Sequence, residues 1–582
     1  MGVLAAGAAA LLLYNGTIRT DLRSADALAE ALCTNDETIY AVGTHASVAR
    51  ACPDATLVDL GGATVLPGLT DAHCHVMLEA ARRRHADVRV SRDAADAAAI
   101  MAAWAESHGD AAWLLGNGFD QTTWPGGAWP TKADLDGLKK PTHVYHISGH
   151  ACWVNSRALA LANVTKTTPD PPGGTIVRDA AGEPTGVLTD NAMALVEDLV
   201  PHPTAAAVRA SVDDELKDVA RLGLAGLHDL AALPGDVAYY AAHGSALTAR
   251  VHVFRDAAAH GYAPPPLPWK NESALVRVRG AKFFADGAMG SWTAAMLEPY
   301  DDKNTTGTLV YEDQNALVGN VSLWRAAGYQ VAAHAIGDAA NRAVLDAYEA
   351  AGVGPGDRFR VEHAQILADA DLGRFAALKV IPSMQPGHCA ADLGYALDRL
   401  GPDRAAGAYA WRRLLETDLL GGALPFGSDY PTAGDVDPRL GLHAAVTRQT
   451  PAGEPAGGFY PDQRVGNLRA LRGYTRDAAF AAFREDDLGA VAPGYAADLS
   501  VFDVDLAVAA PAAILDAAVV ATVVGGRVVY APDGSPFAPH RAAVDAAPPD
   551  LSAADAAAIA AAGRAWEKRY ARELAEDRYH AA

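Results

Sequence analysis

Residues 64–76 read TVLPGLTDAHCHV, an apolar run that ends in two histidines one residue apart, behind a Pro-Gly pair and an aspartate. Residues i and i+2 of a β-strand share a face. His73 and His75 therefore present two imidazoles side by side at the end of a strand otherwise fit for a core, an arrangement that suits a divalent metal. The pair is weak by itself. With 19 histidines in 582 residues, about one such spacing arises by chance, and a wet strand end would look the same. The rest of the chain decides between the two.

Beyond this run the sequence alternates strand-like and helix-like stretches, the pattern of βα units around a parallel sheet. Candidate strands are residues 64–75, 223–230, 249–256, 278–287, 329–338, 358–366, 379–387 and 422–431. They predict a (β/α)8 TIM-type barrel within an α/β fold. About 145 residues separate the first strand from the second, too many for one helix, so a large insertion follows the first barrel strand.

Both ends of the chain carry short alternating strands: LLLYNGTIRT (11–20), TIYAVG (38–43) and ATLVDLGG (55–62), then DLSVFDVD (498–505) and TVVGGRVVY (522–530). Neither set covers its own apolar face, so a β-sandwich formed from both chain termini is expected. Asn15-Gly16 and Gly525-Gly526 read as two-residue hairpin turns. The expected division is 1–62 and 486–535 for the two parts of the sandwich, and 63–485 for the barrel with its insertion at about 77–215. Residues 536–582 form a C-terminal helical extension, with Ser552 and Asp555 as an N-terminal capping pair.

Composition narrows the function. Seventy Asp and Glu against 48 Lys and Arg give a net charge of −22, which argues against a nucleic-acid or anionic-membrane partner. The apolar run GVLAAGAAALLLY (2–14) is too short to span a bilayer and follows no basic residue. A secreted or anchored form using it stays as a rival to a cytoplasmic protein. Five cysteines, odd in number and without CxxC spacing, predict neither a disulfide framework nor a zinc finger, and favour a reducing compartment.

Catalytic residues of a barrel sit at the C-terminal ends of its strands. Those ends carry His73 and His75 on the first strand, Lys282 on the fourth, His334 on the fifth, His363 on the sixth and Asp429 on the eighth. Strands two, three and seven offer no equivalent ligand. Singly, each residue reads as a core histidine, a surface lysine or a helix cap; in series, each at a strand's end, they read as a metal site. His228 and Asp229 read as supports of the barrel. In the insertion, Asp120, Gln121 and Trp124 of GNGFDQTTWPGG combine polar groups with an aromatic wall, as a small-molecule pocket requires, or else fill that segment's own core.

These stretches carry a resemblance. LLLYNGTIRT, TVLPGLTDAHCH, GNGFDQTTWPGGAWP, SGHACWVNSRAL, PPGGTIVRDAAGEPTGVL, KFFADGAMGSWTAAM, AAHAIGDAAN, VEHAQI, PFGSDYP and GYAADLSVFDVD resemble the amidohydrolase superfamily of metal-dependent hydrolases. More narrowly they are similar to amidohydrolase family 3 proteins related to N-substituted formamide deformylases. The likeness covers about residues 11–535, and one departure is Asn35-Asp36-Glu37 where a glycine turn is usual. The resemblance implies a divalent metal, foremost zinc, as one or two ions held by His73, His75, Lys282, His334, His363 and Asp429. Lys282 would be carboxylated where two ions are bridged. Asp429 would act as general base and then acid. His150 of SGHACW would contact substrate or stabilise an oxyanion, and the insertion would form a substrate lid. The substrate would be a small-molecule amide cleaved at a non-peptide C–N bond. A cyclic amidase or deaminase, and a catalytically silent regulatory protein retaining the fold, are the alternatives; a homo-oligomer is compatible with either.

Overall fold

The computed structural model describes residues 10–109, 111–147, 150–244, 246–266, 275–432, 434–542 and 551–577. Residues 2–9 of the N-terminal apolar run and Ser148-Gly149 of SGHACW lie outside them. The described chain forms two compact units, one from Met1–Val76 with Asp213–Leu551, the other from Met77–Val212 with Ser552–Ala582.

In the first unit seven parallel strands follow one another in chain order around a barrel sheet: β1 (Leu69–Cys74), β2 (Leu224–Ala232), β3 (Arg250–Asp256), β4 (Val276–Phe284), β5 (Gln330–Ala335), β6 (Arg360–His363) and β7 (Ile381–Ser383). β2 and β3 are buried along their whole length, as strands covered on both faces must be.

The eighth expected strand, 422–431, makes no ladder. It lies between β7 and β1, held by single parallel bridges from Met384 to Phe426 and from Cys74 to Tyr430. Three local features prevent pairing. Pro425 has no N–H to donate. Gly427 packs so tightly that a Cβ there would lie 2.4 Å from the His73 nitrogen. Asp429 takes a left-handed φ of 62°, which no extended strand allows.

The opening stretch also divides. Thr64–Pro67 joins a sheet made by the termini, while Leu69–Cys74 enters the barrel. Gly68 makes the transfer: a Cβ there would stand 2.8 Å from that of Ala225 and 2.9 Å from that of Asp498. Its neighbours are pinned by hydrogen bonds from Leu69 N to Ser500 Oγ at 2.8 Å and from Ser500 Oγ to Gly223 O at 2.6 Å.

The terminal sheet has eight strands. In order they are Arg527–Tyr530, Val519–Val524, Leu499–Phe502, Thr64–Pro67, Leu11–Arg19, Leu28–Asn35 and Thr38–Gly43, with Thr56–Asp59 also paired to Leu11–Arg19. Leu13, Ile18 and Val65 from one end of the chain share a core with Val501, Val523 and Val528 from the other. Gly525-Gly526, with φ of 54° and 71°, turns tightly between two of these strands. Asn15-Gly16 does not. It lies inside Leu11–Arg19, where the register shifts between Tyr14 and Ile18, and Asn15 is left-handed with φ of 59°. A Cβ on Gly16 would meet Ala63 O at 2.4 Å, so the pair forms a bulge pressed against the neighbouring loop rather than a hairpin.

Cysteine usage also departs from expectation. Cys33 on Leu28–Asn35 and Cys52, which ends the helix His45–Ala51, form a disulfide with Cα atoms 6.7 Å apart. The pairing depends on that helix folding back onto the strand, which cysteine spacing alone does not reveal. Cys74, Cys152 and Cys389 are free and buried.

The second unit has its own six-stranded sheet, in the order Gly174–Arg178, Pro184–Asp190, Ala151–Val154, Thr142–His146, Leu114–Phe119 and Ala86–Asp87. The helix Ala553–Asp577 belongs to it. Ser552 Oγ accepts from Asp555 N at 3.1 Å and donates to its carboxylate at 2.6 Å, and Arg564 donates to Glu197 O at 3.0 Å. No described helix is long and apolar enough to cross a membrane.

Candidate functional site

The C-terminal ends of the barrel strands bring six of the expected residues together in the first unit. His73 is the penultimate residue of β1, and His75 lies just beyond its end. Asp429 N donates to His73 O at 2.7 Å and His75 N donates to Tyr430 O at 2.8 Å, so the backbones of these segments are tied directly. Two of the six stand in sparsely populated backbone: His363 at φ 71° and Asp429 at φ 62°. Such strain persists only where the surroundings impose it, and it clusters at functional sites.

Hydrogen bonds behind the imidazoles decide what each presents in front. His73 Nδ1 donates to Glu362 Oε2 at 2.6 Å, with both side chains fully buried. Glu362 is gripped by Arg360, whose Nε and a terminal nitrogen reach its two oxygens at 2.6 and 2.8 Å. Burial pushes the Glu362 carboxyl up, but the Arg360 charge, helped by His73, holds it well below the usual carboxylate range. It therefore accepts, Nδ1 of His73 carries the proton, and Nε2 is the nitrogen left to face the site.

His75 reaches the same state by donating from Nδ1 to Leu230 O at 2.8 Å, and His363 by donating to Gln385 Oε1 at 2.8 Å. Burial, then the neighbouring His334, pushes His363 well below the ordinary histidine value, so its ring is neutral. His334 is turned the other way: its Nε2 donates to Gly287 O at 3.1 Å, 3.3 Å from Asp286 Oδ1, and its ring lies 4.6 Å from that of His363.

Asp429 Oδ1 stands 3.2 Å from His73 Nε2 and 3.1 Å from His75 Nε2. Burial alone would raise its carboxyl; the imidazoles of His73, His75 and His363 draw it well below the ordinary value. Lys282, 1% exposed, places Nζ 3.4 Å from His73 Nε2. Ligand atoms of His73, His363 and Asp429 all lie within 4.8 Å of one another. Imidazole nitrogens and a carboxylate thus converge, with the Nδ1 protons of His73, His75 and His363 committed elsewhere, and this is a donor set that could hold a cation.

The residues expected in the insertion belong to the second unit. Asp120 accepts from the amide and hydroxyl of Thr122 at 3.0 and 2.6 Å, capping the turn Gln121–Thr123. Trp124 donates to Ser91 O at 3.0 Å and packs in that unit's apolar core, while Gln121 is buried beside it in sequence. His150 is exposed and pairs with Asp190 at 3.0 Å.

Several contributors escape a reading by strand ends. Glu362 and Arg360 sit on β6 itself, and Asp286 accepts from three backbone amides, those of Ala295, Ile336 and Gly337, at 2.8 to 3.0 Å. His388, on the helix Pro386–Ala391 after β7, lies 3.5 Å from Asp429 Oδ2. The adjacency of Glu362 to His363 and the imidazole in QPGH were the available signals.

His228 and Asp229 act behind the cluster. Arg360 donates to His228 Nδ1 at 2.9 Å, and Asp229 accepts from Val76 N at 2.9 Å and from the Tyr240 hydroxyl at 2.7 Å. Burial pushes the Asp229 carboxyl up to about 7, against the smaller downward pull of Tyr240. A carboxyl whose pKa rises on folding contributes stability fully below the unfolded value near about 4, and loses it as pH climbs through about 7. Asp229→Asn stays neutral throughout. Its urea midpoint is expected to gain on the parent protein progressively from about pH 4 to about pH 7 and to level off above that. A pH-independent difference would exclude the elevated carboxyl.

Residues 56–530 match the model of the amidohydrolase family. YtcJ of Bacillus subtilis is 32% identical over 538 residues, covering 89% of this chain and 98% of that one. The N-substituted formamide deformylase of Arthrobacter pascens is 28% identical over 566 residues, covering 90% of this chain and 99% of that one. The crystal structure of an uncharacterized metal-dependent hydrolase from Pyrococcus furiosus superposes with a TM-score of 0.70 at 25% identity, over 85% of this chain and 99% of that one.

Proposed function

The chain belongs to the amidohydrolase family, and from that premise we propose a divalent-metal-dependent hydrolase that cleaves a non-peptide C–N bond in a small-molecule amide. An N-substituted formamide is the first substrate class to consider, on the likeness to the Arthrobacter pascens enzyme. The observation that carries the reading is the convergence at one barrel rim of imidazoles whose Nδ1 atoms are engaged behind them with the Asp429 carboxylate.

His73, His363 and Asp429 would hold the ion, with His75, His334 and Lys282 around them. Imidazole-rich sets favour zinc among first-row ions. When bound, such an ion brings the pKa of water to about 7 and polarises a carbonyl oxygen. Asp429 takes the proton released as water attacks the amide carbon. It then hands that proton to the departing nitrogen, which becomes basic as the C–N bond breaks. Glu362 keeps the His73 ring in one tautomer throughout, and Asp286 fixes the loop that orients His334.

Lys282 would add CO2 at Nζ, releasing a proton and giving a carbamate that would serve as a further anionic ligand where two ions are held. The reaction needs the neutral amine, the form that burial favours in general. The intact protein is then expected to lose about 44 Da on acidification, the mass of CO2. An unmodified lysine in metal-loaded protein would leave a single-ion site.

Elemental analysis combined with a screen of N-formyl amines, hydantoins and aminoheterocycles tests the whole reading. Stoichiometric divalent metal with formamide hydrolysis, lost to a chelator and restored by zinc, is the expected outcome. Turnover of hydantoins or aminoheterocycles alone would assign a cyclic amidase or deaminase. Protein that holds no metal and turns over nothing would be a regulatory relative keeping the fold.

A further inference from the structure

The disulfide between Cys33 and Cys52 constrains where this chain can fold. It ties the end of the helix His45–Ala51 to the strand Leu28–Asn35, between cysteines 19 positions apart. Disulfides form and persist in oxidising compartments and are rare where glutathione and thioredoxin keep thiols reduced. The other three cysteines suit the same surroundings. Cys74, Cys152 and Cys389 are all buried, so no free thiol is exposed to oxidants.

The sequence also holds five Asn-x-Ser/Thr sequons, at Asn15, Asn163, Asn271, Asn304 and Asn320. A sequon is an acceptor of N-linked glycans in secreted chains, and chance alone supplies several in a long sequence. The fold sorts them, because a glycan is bulky and hydrophilic and must stay in water once the chain has folded. Asn15 lies in the bulge of Leu11–Arg19, where its side-chain nitrogen donates to Asp59 Oδ1 at 2.7 Å. Asn320 is half-buried within the helix Gln314–Ala326, and Asn271 lies outside the described residues.

Asn163 and Asn304 differ from these. Both are exposed and stand outside any helix or strand, and so do the hydroxyl residues of their sequons, Thr165 and Thr306. In each case the backbone is held while the side-chain amide is left alone. Asn163 N donates to Ala160 O at 3.1 Å, and its carbonyl accepts from the Thr168 hydroxyl at 3.3 Å. Asn304 stands in a bend closed by Thr305 N donating to Lys303 O at 2.7 Å. Neither side-chain amide is engaged by a hydrogen bond among the described residues.

We propose that the chain folds in an oxidising secretory compartment and carries N-linked glycans on Asn163 and Asn304, one on each compact unit. The side-chain nitrogen attacks the anomeric carbon of an oligosaccharide carried on a lipid diphosphate. A C–N bond forms as the C–O bond to the diphosphate breaks. The diphosphate leaves with the electron pair, and the amide nitrogen gives up one of its two protons.

The test uses full-length protein from its own cells, alkylated in denaturant before reduction and again after it. Cys33 and Cys52 are expected to take only the second reagent. Glycans are then released by an enzyme that hydrolyses the sugar–asparagine linkage in heavy-oxygen water, which turns each modified asparagine into labelled aspartate. Label is expected at Asn163 and Asn304. Thr306→Ala keeps the asparagine but breaks the sequon, and should remove the label at Asn304 alone, with the loss of one glycan's mass. Thr165→Ala should do the same at Asn163. Label confined to Asn15 or Asn320, or none at Asn163 and Asn304, overturns the glycans. Free thiols at Cys33 and Cys52 before reduction overturn the compartment.

Discussion

Asp429→Asn is expected to keep its metal and lose about 10³-fold in kcat, the range measured when a positioned acid–base group is removed. The exchange preserves shape and leaves one oxygen to face His73 and His75, at the 3.2 and 3.1 Å now held by Oδ1. What disappears is the capacity to take a proton and return it. KM should change little, because the amide still fills the place of the carboxylate, so the loss appears in kcat and kcat/KM alike. The left-handed backbone at φ 62° is open to asparagine, which tolerates that region better than most residues, so the fold is not put at risk. Steady-state kinetics beside elemental analysis decide the matter. Turnover at the parent rate would remove Asp429 from the chemistry.

The second large effect concerns stability. Arg360 and Glu362 are both fully buried inside the barrel. The guanidinium makes two bonds to the carboxylate and others to Ala72 O at 2.7 Å, Ser383 Oγ at 2.9 Å and His228 Nδ1 at 2.9 Å. Arg360→Met strands the carboxylate in an apolar interior, and breaking a buried pair in this way costs about 3–5 kcal/mol. Removing both charges together is often close to neutral. The double variant Arg360→Met with Glu362→Gln is therefore expected to recover much of the loss, since glutamine can still accept from His73 Nδ1. The pH dependence has a definite sign. With Arg360 present, the Glu362 carboxyl is held well below its ordinary value, and its contribution persists down to strongly acid pH. Without the arginine, burial is opposed only by His73, the carboxyl rises, and protonation relieves the penalty. The gap between parent and Arg360→Met should thus narrow on acidification, as urea unfolding at two pH values would show. A gap that widened in acid, or a double variant worse than the single, would contradict the pairing.

Much of the candidate site was legible because its residues stand near the places where strands run out, and strand ends are visible as breaks in apolar runs. His73, His75, Lys282, His334 and His363 could be placed that way. What lay behind them could not. The carboxylate that orients His73 comes from β6, nearly 300 positions along the chain, and no local pattern distinguishes Glu362 from a residue facing water. His388 was hidden for a related reason: it follows β7 on a short helix, out of step with the strand-end rule. Within the second unit Asp120 caps a turn and Trp124 packs in a core, roles that polar and aromatic residues in a loop fill as readily as they line a pocket.

By itself, the order of residues determined the alternation of strands and helices and the sharing of the terminal sheet by both ends, because these depend on periodicity and chemical type. Tertiary structure alone decided that the eighth segment closes the barrel without a ladder, that Asn15-Gly16 bulges instead of turning, and that Cys33 meets Cys52. It also decided which nitrogen of each histidine faces inward. Those outcomes are set by contacts between segments distant along the chain, where the room for a Cβ or the partner of a proton depends on what arrives from elsewhere.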